Sequence, residues 1–280
     1  LFASITKMDY HQALIVGAVV ILIYTFLGGF LAVCTTDFVQ GMMMLVGVLA
    51  VPILVVIVLG TGNIVPNLVN SGLNVDAKDY LNIFMQDGKP ISGISIASQL
   101  AWGLGYFGMP HILLRFMAIE DEKKLKLSRR VASVWVVIAM AMAVLIGVVG
   151  RALSNTGLVD QLHGNDTETI IVRVAHLLST YGAFPAIMAG LILAGILAST
   201  MSTADSQLLA AASSVSENIL REAFHLKISE KKSMLAARLT VIGIAILGII
   251  IARNPDSSVF GIVSFAWAGF GATFGPVVLF

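Results

Sequence analysis

The 280 residues carry 17 Lys plus Arg against 16 Asp plus Glu, yet only 12% of the chain is charged while 58% is hydrophobic. Soluble globular domains are about half apolar and about a quarter charged, so this composition, with a mean hydropathy of +0.93, excludes that class. The single cysteine, Cys34, excludes an internal disulfide framework and any multi-cysteine metal cluster.

A bilayer-crossing helix needs about 20 mostly apolar residues. Seven stretches qualify in chain order, roughly 10–27, 36–59, 94–116, 131–150, 184–215, 234–251 and 259–280. They predict an all-α integral membrane protein, a single transmembrane domain over residues 1–280. The chain opens on Leu1-Phe2-Ala3 with no initiator methionine or basic leader and closes on Val278-Leu279-Phe280 in an apolar run. It therefore reads as incomplete at both ends.

Gly28-Gly29, between the first two stretches, predicts a tight inner turn. Residues 115–130 hold Arg115, Lys123, Lys124, Lys126, Arg129 and Arg130, and residues 221–238 hold Arg221, Lys227, Lys231, Lys232 and Arg238. By the positive-inside rule both loops are cytoplasmic, in a multi-pass protein of the cell membrane. Two apolar stretches separate them, so both return to one side. Loops 60–93 and 151–183, with Asp76, Asp79, Asp87, Asp160, Asp166 and Glu168, then face outward, and the chain begins outside. The flanking membrane spans account for the basic runs without nucleic acid as a partner.

Polar groups at membrane depth are costly and mark cavities or ion paths. Asp37, beside Thr35 and Thr36, reads two ways. It is either an interfacial helix N-cap or a carboxylate on such a path. In 94–116, Gly103, Gly105, Gly108 and Pro110 predict an interrupted helix, the kind of break that presents backbone to substrate and ions in transporters. Trp102 and Tyr106 are four apart and share a helical face, as an aromatic wall for an apolar ligand or as a packed pair. The glycine interruption favours the ligand. The spacing Gly103-x-Gly105-x-x-Gly108 matches a dinucleotide fingerprint, but it lies in a membrane stretch without the required strand.

In Ser199-Thr200-Met201-Ser202-Thr203-Ala204-Asp205-Ser206, the side chains of Ser199, Ser202, Thr203 and Ser206 share one helical face, with Asp205 near its edge. Hydroxyls that bond back to the preceding turn explain isolated serines and threonines, but poorly explain an acid among them. Hard cations take several oxygen ligands, so this face predicts a sodium site. Gly271 and Gly275 form a G-x-x-x-G spacing that predicts close helix packing. No histidine pair has metal-ligand spacing, and no nucleophile has a base beside it. The expectation is transport, with no enzyme activity and no cofactor other than sodium as coupling ion.

Gly28-Gly29-Phe30-Leu31-Ala32-Val33 leading into Thr36-Asp37-x-x-Gln40, and Met201-Ser202-Thr203-Ala204-Asp205-Ser206-Gln207-Leu208-Leu209, resemble signatures of the sodium:solute symporter family. Trp102 through Met117, and Phe265 through Pro276, resemble its sodium/proline symporters. The resemblance implies a leucine-transporter-like fold of two inverted five-helix repeats, of which the seven stretches are core helices four to ten. It implies one sodium site at the Ser202 and Thr203 hydroxyls and the Ser199 carbonyl. A second would lie at Asp37, Ser202, Asp205 and Ser206. Trp102, Tyr106 and Pro110 match positions that line a proline site. The function implied is sodium-coupled import of a small solute, foremost L-proline. The alternatives are another amino acid, a carboxylate or pantothenate as cargo, or a transporter-like sensor module.

Overall fold

The structure is a computed structural model that describes residues 2–60, 62, 67, 81–86, 88–226, 229–254 and 259–280. Asp76, Asp79, Asp87 and Lys227, used above to orient the loops, lie outside the described residues. A short helix α1 (Phe2–Thr6) precedes α2 (Tyr10–Leu59). Further along the chain come two-residue strands β1 (Met85–Gln86) and β2 (Lys89–Pro90), then α3 (Gly93–Ala101), a 3-10 segment (Trp102–Gly108) and α4 (Pro110–Met117). The remaining long helices are α5 (Leu125–Asn155), α6 (Ile170–Ser179), α7 (Ala183–Ser213), α8 (Glu230–Ile251) and α9 (Val259–Leu279). A π-helical turn (Ser214–Ala223) extends α7.

Among the described residues, five helical runs are long and apolar enough to cross a membrane: Phe30–Val58, Glu122–Asn155, Ala183–Ala223, Glu230–Ile251 and Val259–Leu279. Tyr10–Phe26 is apolar but shorter. The 29 residues of Phe30–Val58 rise about 43 Å at about 1.5 Å each, ample for a hydrocarbon core about 30 Å thick. Exposed Ile57, Val137, Leu239 and Ile250 give the helices an apolar exterior suited to lipid.

The sequence expectation needs one correction. The turn at Gly28-Gly29 is not formed, since helix α2 continues from Tyr10 to Leu59. A glycine inside a helix costs about 1 kcal/mol relative to alanine and does not by itself end one. The only proline in α2 is Pro52. The outward start of the chain rested on that turn and loses its support with it. The all-α expectation holds, with one short hairpin in which β1 and β2 pair antiparallel, Met85 opposite Pro90 and Gln86 opposite Lys89. Gly88, at φ 74°, occupies the left-handed region within the tight connection.

The chain divides into two compact units. The first comprises Leu1–Met44, Pro110–Ala118 and Ala194–Ser258. Its core packs Leu208, Ala212 and Val241 against Ile21, Leu22, Ala237 and Ile244. Gly195 lets α7 lie against α2, since a Cβ there would stand 3.1 Å from the Met43 carbonyl oxygen. The second comprises Leu45–Met109, Ile119–Leu193 and Val259–Phe280. Val51, Val55, Val174, Leu178 and Ile192 are the largest fully buried apolar side chains among its described residues. Gly150 admits α6 closely, for a Cβ would meet Ile170 Cγ1 at 2.3 Å.

Candidate functional site

In the first unit, α2, α4 and α7 bring five polar side chains together. Asp37 and Ser206 meet at 3.2 Å between Oδ2 and Oγ, and Ser206 Oγ is 3.3 Å from Asp205 Oδ1. Ser206 also lies 2.7 Å from the Ser202 carbonyl, one helical turn back. Asp205 is fully buried, and its Oδ2 accepts a hydrogen bond from the Tyr24 hydroxyl at 2.8 Å. That hydroxyl is also 3.0 Å from the Met201 carbonyl. Arg115 Nη2 donates to both Asp37 Oδ2 and Ser206 Oγ, which makes an ion pair with Asp37.

Asp37 lies far inside α2, so it caps no helix and the N-cap alternative falls. The expected second sodium set of Asp37, Ser202, Asp205 and Ser206 converges, with Ser202 contributing its carbonyl. Sequence reasoning found three of these five side chains, Asp37, Asp205 and Ser206, together with the neighbouring Ser202, and missed Tyr24. Arg115 it read only as a loop charge and as part of the family motif. Beside the cluster is a cavity of about 380 Å³, lined by Phe30, Cys34, His111, Leu114, Arg115 and Ser206 among others.

One turn earlier on α7, the Ser202 hydroxyl donates to the Ser199 carbonyl at 3.1 Å, and the Thr203 hydroxyl donates to the same oxygen at 3.0 Å. The three oxygens of the first expected sodium set therefore gather at one point. Both hydroxyl protons are committed to that carbonyl, the back-bonding weighed above for isolated hydroxyls. Their oxygen lone pairs remain as acceptors for a cation.

In the second unit, the broken segment Trp102–Gly108 packs along α9. A Cβ on Gly105 would stand 2.2 Å from Trp267 Cδ1, one on Gly108 2.2 Å from the Phe270 carbonyl oxygen, and one on Gly271 2.8 Å from Gly105 Cα. Backbone thus meets backbone, as the G-x-x-x-G spacing predicted, and the interruption predicted from the glycines is a 3-10 run of 7 residues. Such runs rarely exceed about four residues and mark strained or hinge positions.

Trp102 stacks on Phe260 with centroids 5.4 Å apart and on Trp267 at 6.4 Å. Tyr106 meets the Trp267 ring edge-on at 4.7 Å, and Trp267 Nε1 donates to the Trp102 carbonyl at 3.1 Å. Trp102 and Tyr106 are joined through Trp267 rather than through a shared α-helical face. Phe260 and Trp267 were not foreseen as their partners, because stacking across more than a hundred residues leaves no local spacing. Tyr106 remains half exposed. Pro110 belongs to the first unit and opens α4 after Met109, whose extended ψ of 110° is the conformation a following proline favours.

A family model described as the sodium:solute symporter family matches residues 1–280. The chain is 41% identical over 280 residues to the high-affinity proline transporter PutP of Bacillus subtilis, covering 100% of this chain and 56% of that protein. It is 40% identical over 281 residues to the osmoregulated proline transporter OpuE of Bacillus subtilis, covering 100% and 54%. With the sodium/proline symporter of Escherichia coli it shares 38% over 285 residues, covering 100% and 53%. The chain thus spans about half the length of these relatives. No solved structure matches. With a family match over every residue and the apolar helices described above, the chain belongs to the sodium:solute symporter family.

Proposed function

We propose that the complete protein is a sodium-coupled symporter of the cell membrane that imports a small solute, L-proline first among the candidates. The observation that carries this reading is the buried cluster of Asp37, Asp205 and Ser206 on two helices of membrane-spanning character. Carboxylates buried at such depth require a cation, a proton or donated hydrogen bonds. Hydroxyls and a carbonyl beside them complete an oxygen-rich surface suited to a hard monovalent cation. The names of the relatives, each a proline transporter or sodium/proline symporter, support proline as the cargo.

On this reading one sodium ion binds the Ser199 carbonyl and the Ser202 and Thr203 hydroxyls, and a second binds at Asp37, Ser202, Asp205 and Ser206. Trp102, Tyr106 and Pro110 line the solute site, where aromatic faces bury an apolar ring. The stacking of Trp102 on Phe260 and Trp267 favours a second reading for that residue, a packing role beneath the site. Residues 1–280 belong to one transporter domain, in the inverted-repeat architecture the family resemblance implies. Loops 115–130 and 221–238 lie on the cytoplasmic side by their positive charge.

Uptake of labelled proline into proteoliposomes of the complete protein tests the function directly. An inward sodium gradient is expected to drive accumulation, and an equal potassium gradient is not. Accumulation independent of sodium would refute symport, and sodium-driven uptake of a carboxylate or pantothenate in preference to proline would replace the cargo.

A further inference from the structure

Arg115 stands out among the basic residues grouped in 115–130, because its guanidinium turns to a buried acid. It donates to Asp37 Oδ2 and to Ser206 Oγ, while its own side chain stays 50% exposed and that of Asp37 is only 9% exposed. The guanidinium engages one carboxylate oxygen and leaves the other. Asp37 Oδ1 is buried without a hydrogen-bond partner, as is Gln40 Oε1 one turn further along α2. Asp205, fully buried, completes the acidic side through Ser206. An acceptor oxygen without a donor, next to a half-exposed arginine that can withdraw, is an arrangement in which one cation can replace another.

We propose that Arg115 is a tethered counter-cation for Asp37, and that sodium and the guanidinium occupy this carboxylate in turn. The inference rests on the sodium reading of the Asp37 cluster and adds the residue against which sodium competes there. With Arg115 engaged, the acid is neutralised and the ion is released. With sodium bound, the guanidinium swings into the adjoining cavity, which Arg115 itself lines. The exchange makes sodium release easier than it would be from two uncompensated carboxylates, so Arg115 governs turnover as well as affinity.

The test uses purified complete protein and radioactive sodium as the probe, with choline holding ionic strength constant. Arg115→Gln is expected to lower the sodium concentration for half-saturation at least fivefold, and Asp37→Asn added to it is expected to abolish that gain. Arg115→Lys, which keeps a cation on a flexible stem, is expected to stay within about twofold of wild type. Unchanged or weaker sodium binding in a monodisperse Arg115→Gln protein overturns the proposal.

Should that variant fail to fold, wild-type protein carries the test through phenylglyoxal, which modifies accessible arginines and is read at Arg115 by peptide mass spectrometry. Labelling is expected to rise at least threefold with saturating sodium, and a response no greater than with choline overturns the proposal. If wild-type protein shows sodium-driven uptake but no sodium-dependent labelling, only the exchange at Asp37 falls. If sodium drives no uptake at all, the symport reading itself falls.

Discussion

Replacing Gly108 with alanine would place a methyl carbon 2.2 Å from the Phe270 carbonyl oxygen and 2.6 Å from its carbon. Both atoms are backbone of α9, so no rotamer change relieves the overlap, and the two segments must part by about 1 Å to restore ordinary contact. Overpacking of this kind costs about 1–3 kcal/mol, and a backbone neighbour puts Gly108 at the upper end. Gly103, in the same 3-10 run, has open space where its Cβ would go. Alanine there is expected to be neutral or slightly stabilising, because it removes unfolded-state freedom. The assay is the temperature at which the monodisperse peak of detergent-solubilised protein is half lost. With a shift of about 2–4 °C per kcal/mol, Gly108→Ala is expected to melt roughly 5–10 °C below Gly103→Ala. Equal melting of the two variants would refute the claim that glycine at 108 is required by contact with α9.

Ser202→Ala and Thr203→Ala are each expected to raise the sodium concentration for half-maximal proline uptake by roughly tenfold, the equivalent of ~1.4 kcal/mol for a lost oxygen ligand. Unchanged sodium dependence in both would remove the first sodium site. Tyr106→Ala is expected to weaken proline half-saturation roughly tenfold by uncovering ~1–2 kcal/mol of apolar contact, with sodium activation little changed. Trp102→Ala is expected to cost melting temperature as well, because it also deletes two stacking partners. Tyr24→Phe removes a hydroxyl donor from a fully buried carboxylate, a loss of about 1.5–3 kcal/mol by charged hydrogen-bond energetics. Its sodium half-saturation is expected to shift while proline affinity holds, and equal shifts in both would make it a general packing defect.

Five of the seven expected membrane helices were legible because length and apolarity suffice to identify them, whereas 10–27 runs on within α2 and 94–116 is divided by the 3-10 run. The break at Trp102–Gly108 was legible for a similar local reason, since three glycines before a proline weaken a helix regardless of neighbours. Gly271 announced close packing by its spacing, but its partner Gly105 could not be read, because the choice of partner is a property of the fold. Tyr24 was invisible for the same reason. In an apolar run it resembles any interfacial aromatic, and its partner Asp205 is 181 residues away. The Gly28-Gly29 turn was misread because glycine pairs occur both at turns and inside helices, and sequence alone does not say which. The cap role of Asp37 fell with that turn, since a cap requires a helix to start there.

Asp205 posed a question of charge that the sequence could frame but not answer, because no Lys or Arg lies between Arg173 and Arg221. The answer is divided between elements. Tyr24 and Ser206 donate to or face Asp205, while the one guanidinium in the cluster goes to Asp37. With both carboxylates ionised, one guanidinium leaves a single negative charge in the cluster. Exchange of the guanidinium for sodium at Asp37 keeps that charge the same, because both cations are monovalent. The swap therefore leaves unchanged the charge that the surrounding helices must hold.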